Sequence, residues 1–285
     1  MDPILLLLTA FVIGLVAGIL SGMFGIGGGI IMVPALIAAG LVASTDNATA
    51  FTIATACSLF AIIFLSPTGS YVHMRANHLN VKYGVALGVA GVMGGVMGSY
   101  FSKSLPQDWL EGGFAVFTII MGIQMMLKDN KERKKRAARE ENGNCTPEAD
   151  RKESSECNVR NPYPYLVLLG IGAGILAGAM GVGGGLIIVP VMVMLGVGIH
   201  VSVGTSLMAI IFTASASVAT KAAIIPSILP ILSVVAIPLA IGGCIAAYFG
   251  AKIAERTHSR RLSRYFSVLL FFIGAYMLCK SLGYL

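Results

Sequence analysis

A chain of 285 residues that is 56% hydrophobic and only 12% charged, with a mean hydropathy of +0.84, lies outside the range of water-soluble domains. The formal net charge of +7 is carried by loops, so it is read as membrane-protein charge bias and not as a nucleic-acid footprint. Five cysteines, at 57, 145, 157, 244 and 279, show no CxxC spacing and suggest neither a metal site nor a disulfide framework.

No Asp, Glu, Lys or Arg occurs from Pro3 to Thr45 or from Asn161 to Thr220. Apolar segments fall at residues 4–22, 28–43, 48–66, 83–102 and 112–127, and again at 163–180, 184–199, 202–220, 228–250 and 265–282. Segments that cross a bilayer must satisfy their own backbone groups, so helices are expected. The first segment has no basic n-region and is read as a retained helix. Between the two sets of five lies Lys128 to Arg160, with ten basic and eight acidic residues, including "KERKKRAAR". This reads as a solvated cytoplasmic linker. The organisation expected is therefore a first transmembrane repeat at 1–127, a charged linker at 128–160 and a second repeat at 161–285.

The loops "HMRANHLNVK" (73–82) and "KIAERTHSRRLSR" (252–264) are also basic. Ten crossings put both beside the linker in the cytoplasm, with Asp46, Lys103, Asp108, Glu111 and Lys221 outside. Two halves with an odd number of crossings enter the membrane in opposite senses, which predicts an inverted repeat.

The letters carry the repeat. Gly14–Leu36 aligned on Gly170–Met192 gives 13 identities in 23 positions, centred on "GMFGIGGGIIMVP" (22–34) and "GAMGVGGGLIIVP" (178–190). A second register pairs "ACSLFAIIF" (56–64) with "GTSLMAIIF" (204–212), and "GGVMGSYF" (94–101) with "GGCIAAYF" (242–249).

Three successive glycines each cost roughly 1 kcal/mol of helix propensity relative to Ala, so the helix should break at Gly27–Gly29 and at Gly183–Gly185. A break exposes the N–H groups that start the next half-helix, backed by the positive end of its dipole, and an anion can satisfy them. With no Cβ the ligand can come close, and Pro34 or Pro190 keeps the rod from re-forming. The competing reading is close helix packing, which suits Gly14, Gly18, Gly22, Gly170, Gly174 and Gly178 better. A nucleotide loop is excluded, because no Lys-Ser or Lys-Thr follows the glycines.

Ser58, Thr205 and Ser206 lie in apolar segments, where they either donate to substrate oxygens or bond back to the preceding turn. Ser21, Thr52 and Thr55 are further hydroxyls, and Cys57 reads as a small buried hydrophobe. His73, His78 and His258 lie in basic loops and are expected to face solvent or headgroups, while His200 sits near a span end. No charged residue is expected deep in a span, so neither a proton-relay carboxylate nor a fixed cation is foreseen, and recognition falls to helix dipoles and hydroxyls.

The paired G-x-G-G-G-x-x-x-V-P elements, each followed by Cys57-Ser58-Leu59 or Thr205-Ser206-Leu207, resemble the TauE/SafE sulfite exporters, also called TSUP transporters. The resemblance spans both apolar halves and omits the linker. It implies a multi-pass inner-membrane permease for small sulfur-containing anions such as sulfite or sulfonates. The expectation is an all-α polytopic membrane protein with two inverted repeats of about five segments, broken at the glycine clusters. It is expected to export such an anion through a midplane site of Gly27, Gly28, Gly29, Ser58, Gly183, Gly184, Gly185, Thr205 and Ser206. An importer, a carrier of another small anion and an anion channel are the alternatives. No catalytic constellation, metal, cofactor or nucleic-acid partner is expected; the partners are the substrate and the bilayer, and homo-oligomerisation is left open.

Overall fold

The computed structural model describes residues 3–41, 47–104, 163–225, 228 and 232–281, with a few positions between 116 and 127. The charged linker, most of segment 112–127, Asp46, Asp108 and Glu111 lie outside the described residues.

The described chain is helical throughout: α1 (Pro3–Phe24), α2 (Gly29–Ala38), α3 (Asn47–Arg75), α4 (Val81–Ser104), α5 (Tyr163–Met180), α6 (Gly185–Met194), α7 (Ile199–Ile224), α8 (Ile237–Arg256) and α9 (Ser259–Ser281). A π-helical turn, Leu232–Ala236, leads into α8. Among the described residues six stretches are long and apolar enough to cross a membrane, and they involve α1, α3, α4, α5, α7 and α8. A helix of 22 residues, such as α1, reaches about 33 Å, enough for a hydrocarbon core of about 30 Å.

Segments 28–43 and 184–199 were expected to cross, but each forms a helix of only 10 residues, about 15 Å long. What shortens them is the αL backbone at one end and a turn at the other, where Gly40 and Gly196 close the helices with positive φ.

The two halves interlock. α1 packs along α8, α5 along α4, and α3 along α7, so every one of these contacts joins one half to the other. Small residues make this possible: a Cβ added at Gly14 or Gly22 would fall on the carbonyl oxygen of Leu239 or Ala247, and one at Gly174 or Gly178 on that of Gly91 or Gly95. The packing role expected for these glycines is thus what the backbones require. α3 and α7 are the most deeply buried of the long helices. Around them, apolar side chains such as Val89, Met93 and Met97 on α4, and Ile237, Ile241 and Ile245 on α8, are exposed, as lipid-facing positions should be.

Candidate functional site

Both glycine clusters break the helix. Gly25, Gly27 and Gly28 have φ of 71°, 80° and 75°, and Gly181, Gly183 and Gly184 have 74°, 78° and 78°. An L side chain in this region costs roughly 1–2 kcal/mol per residue. The turn reverses the chain: a Cβ at Gly28, the N-cap of α2, would lie 3.0 Å from the Ala17 carbonyl oxygen, two turns back along α1, and one at Gly184 would lie 2.9 Å from that of Ala173 on α5.

The two breaks meet. A Cβ on Gly29 would collide with the carbonyl oxygen of Gly181, and one on Gly185 with that of Gly25. Gly29 and Gly185 are therefore needed for close approach, while their neighbours are needed for positive φ. The Gly28 carbonyl accepts from both Ile31 and Met32, and the Gly184 carbonyl from Ile187 and Ile188. The N–H groups of Gly27, Gly28 and Gly29, and those of Gly183, Gly184 and Gly185, find no acceptor among the described residues. Two helix N-termini thus converge on one buried crossing, lined by Ile62 and Ile210.

The serines brace the crossing reciprocally. Ser58 Oγ donates to the Gly181 carbonyl at 2.8 Å, and Ser206 Oγ donates to the Gly25 carbonyl at 2.9 Å. Each also lies within bonding distance of its own preceding turn, at the carbonyls of Thr55 and Val203. Thr205, buried too, is turned elsewhere and accepts from the Asn80 N–H at 3.1 Å. The structure thus brings Gly27–Gly29, Gly183–Gly185, Ser58 and Ser206 together and sets Thr205 at the α3–α4 connection.

Next to the second break lies a buried lysine. Lys221 is 2% exposed, and its Nζ donates to Thr55 Oγ1 at 2.6 Å. Thr55 itself packs on the break: a Cβ at Gly181 would lie 2.6 Å from Thr55 Cβ and 3.0 Å from Ser58 Oγ. Near the first break His73, fully buried, places Nε2 3.2 Å from the Gly22 carbonyl oxygen. His78 and His200 stack with ring centroids 5.0 Å apart. The Nδ1 atoms of all three histidines are buried without a hydrogen-bond partner. His78 lies between spans, and burial holds its pKa below the usual imidazole value.

The family model for the sulfite exporter TauE/SafE matches residues 10–277. The chain belongs to the TauE/SafE family. Among curated relatives it is 28% identical over 117 residues to "Probable membrane transporter protein YunE" of Bacillus subtilis, a match spanning 41% of this chain and 43% of that protein. It is likewise 28% identical over 127 residues to "Probable membrane transporter protein MJ0441" of Methanocaldococcus jannaschii, spanning 43% of this chain and 45% of the relative. The chain thus aligns with less than half the length of these relatives. No solved structure matches.

This member of the TauE/SafE family is therefore a multi-pass membrane protein. Two expectations are corrected. Lys221 does not lie in an outer loop, because α7 continues past residue 220 and carries it into the bundle, so an ionisable side chain is buried among the helices after all. His73 does not face solvent, because α3 runs to Arg75 and its last turns pack on Gly22 and Gly204. Sequence reasoning also passed over Gly25 and Gly181. Their signal was available, since both glycines recur at the same place in the two motifs.

Proposed function

We propose that the chain is a secondary carrier of the inner membrane that exports a small sulfur-containing anion, such as sulfite or a sulfonate. The observation that carries the reading is the convergence of two half-helices, α2 and α6, whose N-terminal N–H groups lack acceptors at one buried crossing. Gly27–Gly29 and Gly183–Gly185 present the backbone donors, and Ser58 and Ser206 are the hydroxyls at hand. Helix N-termini attract anions in the way described for broken helices of transporters.

Reciprocal contacts, Gly29 on Gly181 and Gly185 on Gly25, are what a two-fold relation between halves produces, and they support an inverted repeat with its axis near the midplane. Because the two clusters touch, an anion reaches the N–H groups only when one half moves against the other. Such a movement is alternating access. A monoanion leaving a negative-inside compartment gains about 2.3 kcal/mol per 100 mV, so export needs no coupling ion.

The test is flux in proteoliposomes with radiolabelled sulfite, sulfoacetate and taurine, the voltage clamped in both senses. Saturable flux stimulated by unlabelled anion on the opposite side is expected. Flux that rises linearly without saturation or countertransport indicates a channel, and absence of flux for all three refutes the substrate class.

A further inference from the structure

A lysine buried in a membrane span demands an explanation. Removing an ammonium from water costs several kcal/mol unless an anion compensates it. Among the described residues the only carboxylate is Glu255, in the last turn of α8. Lys221 sits near the end of α7, which leads into the start of α8, so nearly the whole length of α8 separates the two. The partner Lys221 does have is neutral. Thr55 Oγ1 spends its proton on the Thr52 carbonyl at 2.8 Å and accepts from Nζ. That leaves the rest of the donor capacity of Nζ with no acceptor among the described residues.

The position is not an accident of packing. The register that pairs Ser58 with Ser206 also pairs His73 with Lys221, so both halves place a nitrogen base at this point of the helix, each beside a glycine break. The halves differ in what surrounds it. Where Lys221 meets the hydroxyl of Thr55, the same register gives the first break Val203.

Resting on the carrier reading above, we infer that Lys221, held by Thr55, is the fixed cationic subsite of the anion path and that the transported anion is its counter-ion. The second break is then the stronger half of the site, and the crossing is electrostatically polarised toward it. An ammonium is a point charge without a directional fork, so this subsite selects for charge and small size more than for shape. That fits a carrier tolerant of pyramidal and tetrahedral oxyanions alike. It also explains how a site without arginine can hold a strongly hydrated anion, since dipole ends alone supply only partial charges.

The experiment uses the full-length protein in lipid nanodiscs, with thermal unfolding followed during titration with sodium sulfite at constant ionic strength. Wild type is expected to be stabilised saturably. Lys221→Met should lose that response, with the half-saturating sulfite concentration raised at least tenfold, while its ligand-free Tm equals or exceeds that of wild type, because an uncompensated charge has gone. Lys221→Arg should keep the response. Lys221→Gln, which retains a donor for Thr55, carries the same test if the Met variant does not insert. The inference is overturned if the neutral variant keeps wild-type half-saturation, or if its ligand-free Tm falls while the sulfite response persists, since Lys221 would then be a structural cation neutralised by the chain itself. A wild type that binds sulfite without carrying it, its response lost in Lys221→Met, upholds Lys221 and sinks the carrier reading; a wild type that none of sulfite, sulfoacetate or taurine stabilises refutes both.

Discussion

Ser206→Ala separates two roles that one hydroxyl can play. In the structure Ser206 is fully buried and its single proton is shared between the carbonyls of Gly25, at 2.9 Å, and Val203, at 2.8 Å. Val203 lies within α7, where its carbonyl belongs to the helix ladder, so the loss falls on Gly25. A typical intramolecular hydrogen bond contributes about 1 kcal/mol, and a buried carbonyl left without a donor costs about 1–3 kcal/mol. Within membranes, measured side-chain hydrogen bonds average nearer 0.6 kcal/mol, with a maximum of about 1.7. The expected destabilisation is therefore about 1–2 kcal/mol, and the same holds for Ser58→Ala at Gly181. Because both serines brace one crossing, the double variant should depart from additivity by about 0.5 kcal/mol or more. Equilibrium unfolding in mixed micelles, followed by circular dichroism, reads these values, and sulfite affinity of the folded protein is measured alongside. A brace lowers stability and leaves affinity within about threefold; a substrate donor would lower affinity by about five- to 150-fold. Unchanged stability in both single variants, with lost affinity, would refute the bracing argument.

Gly28→Ala and Gly184→Ala should each destabilise by about 1–2 kcal/mol from the αL backbone alone, with more from the approach of the new Cβ to the Ala17 or Ala173 carbonyl oxygen; Gly172→Ala, whose Cβ meets nothing within 4 Å, should be neutral or gain up to about 1 kcal/mol, by the same unfolding assay. Gly18→Ala is not benign, because its Cβ would fall on the Gly243 carbonyl oxygen; the α1–α8 contact must open, and a loss of about 1–3 kcal/mol is expected. Burial lowers the pKa of His78, so the unfolded chain binds the more protons: its contribution is intact above about pH 6.5 and is lost as pH falls below that value. Stability measured from pH 7.5 to 5 should decline toward acid, less steeply in His78→Asn, and a steeper decline in that variant contradicts the assignment.

Much of this protein was legible in its letters because the bilayer imposes few choices. Long uncharged runs can only be helices where backbone groups have no water to turn to, and the doubled motifs declare two related halves. The helix breaks were legible too, since successive glycines defeat a continuous rod, whereas Pro34 and Pro190, expected to help, lie inside α2 and α6. The halving of segments 28–43 and 184–199 was not, because hydropathy counts apolar residues and is blind to where a chain turns back. Nor could periodicity show that Gly29 serves close approach while Gly28 serves φ, a distinction set by which backbone lies opposite. Lys221 and His73 were misread for a related reason. Each lies at the margin of an apolar run, and local sequence assigns a marginal charge or imidazole to the interface, where it is cheapest. Only the packing of α3 against α7 decides otherwise. Those two helices run past the apolar stretch that marked them, so the ends that hydropathy leaves in the headgroups are covered by neighbouring helices, His73 by Gly22 and Gly204 and Lys221 by Thr55. Burial of Lys221 against Thr55 joins residues 166 positions apart in the chain, and no rule of local spacing connects them.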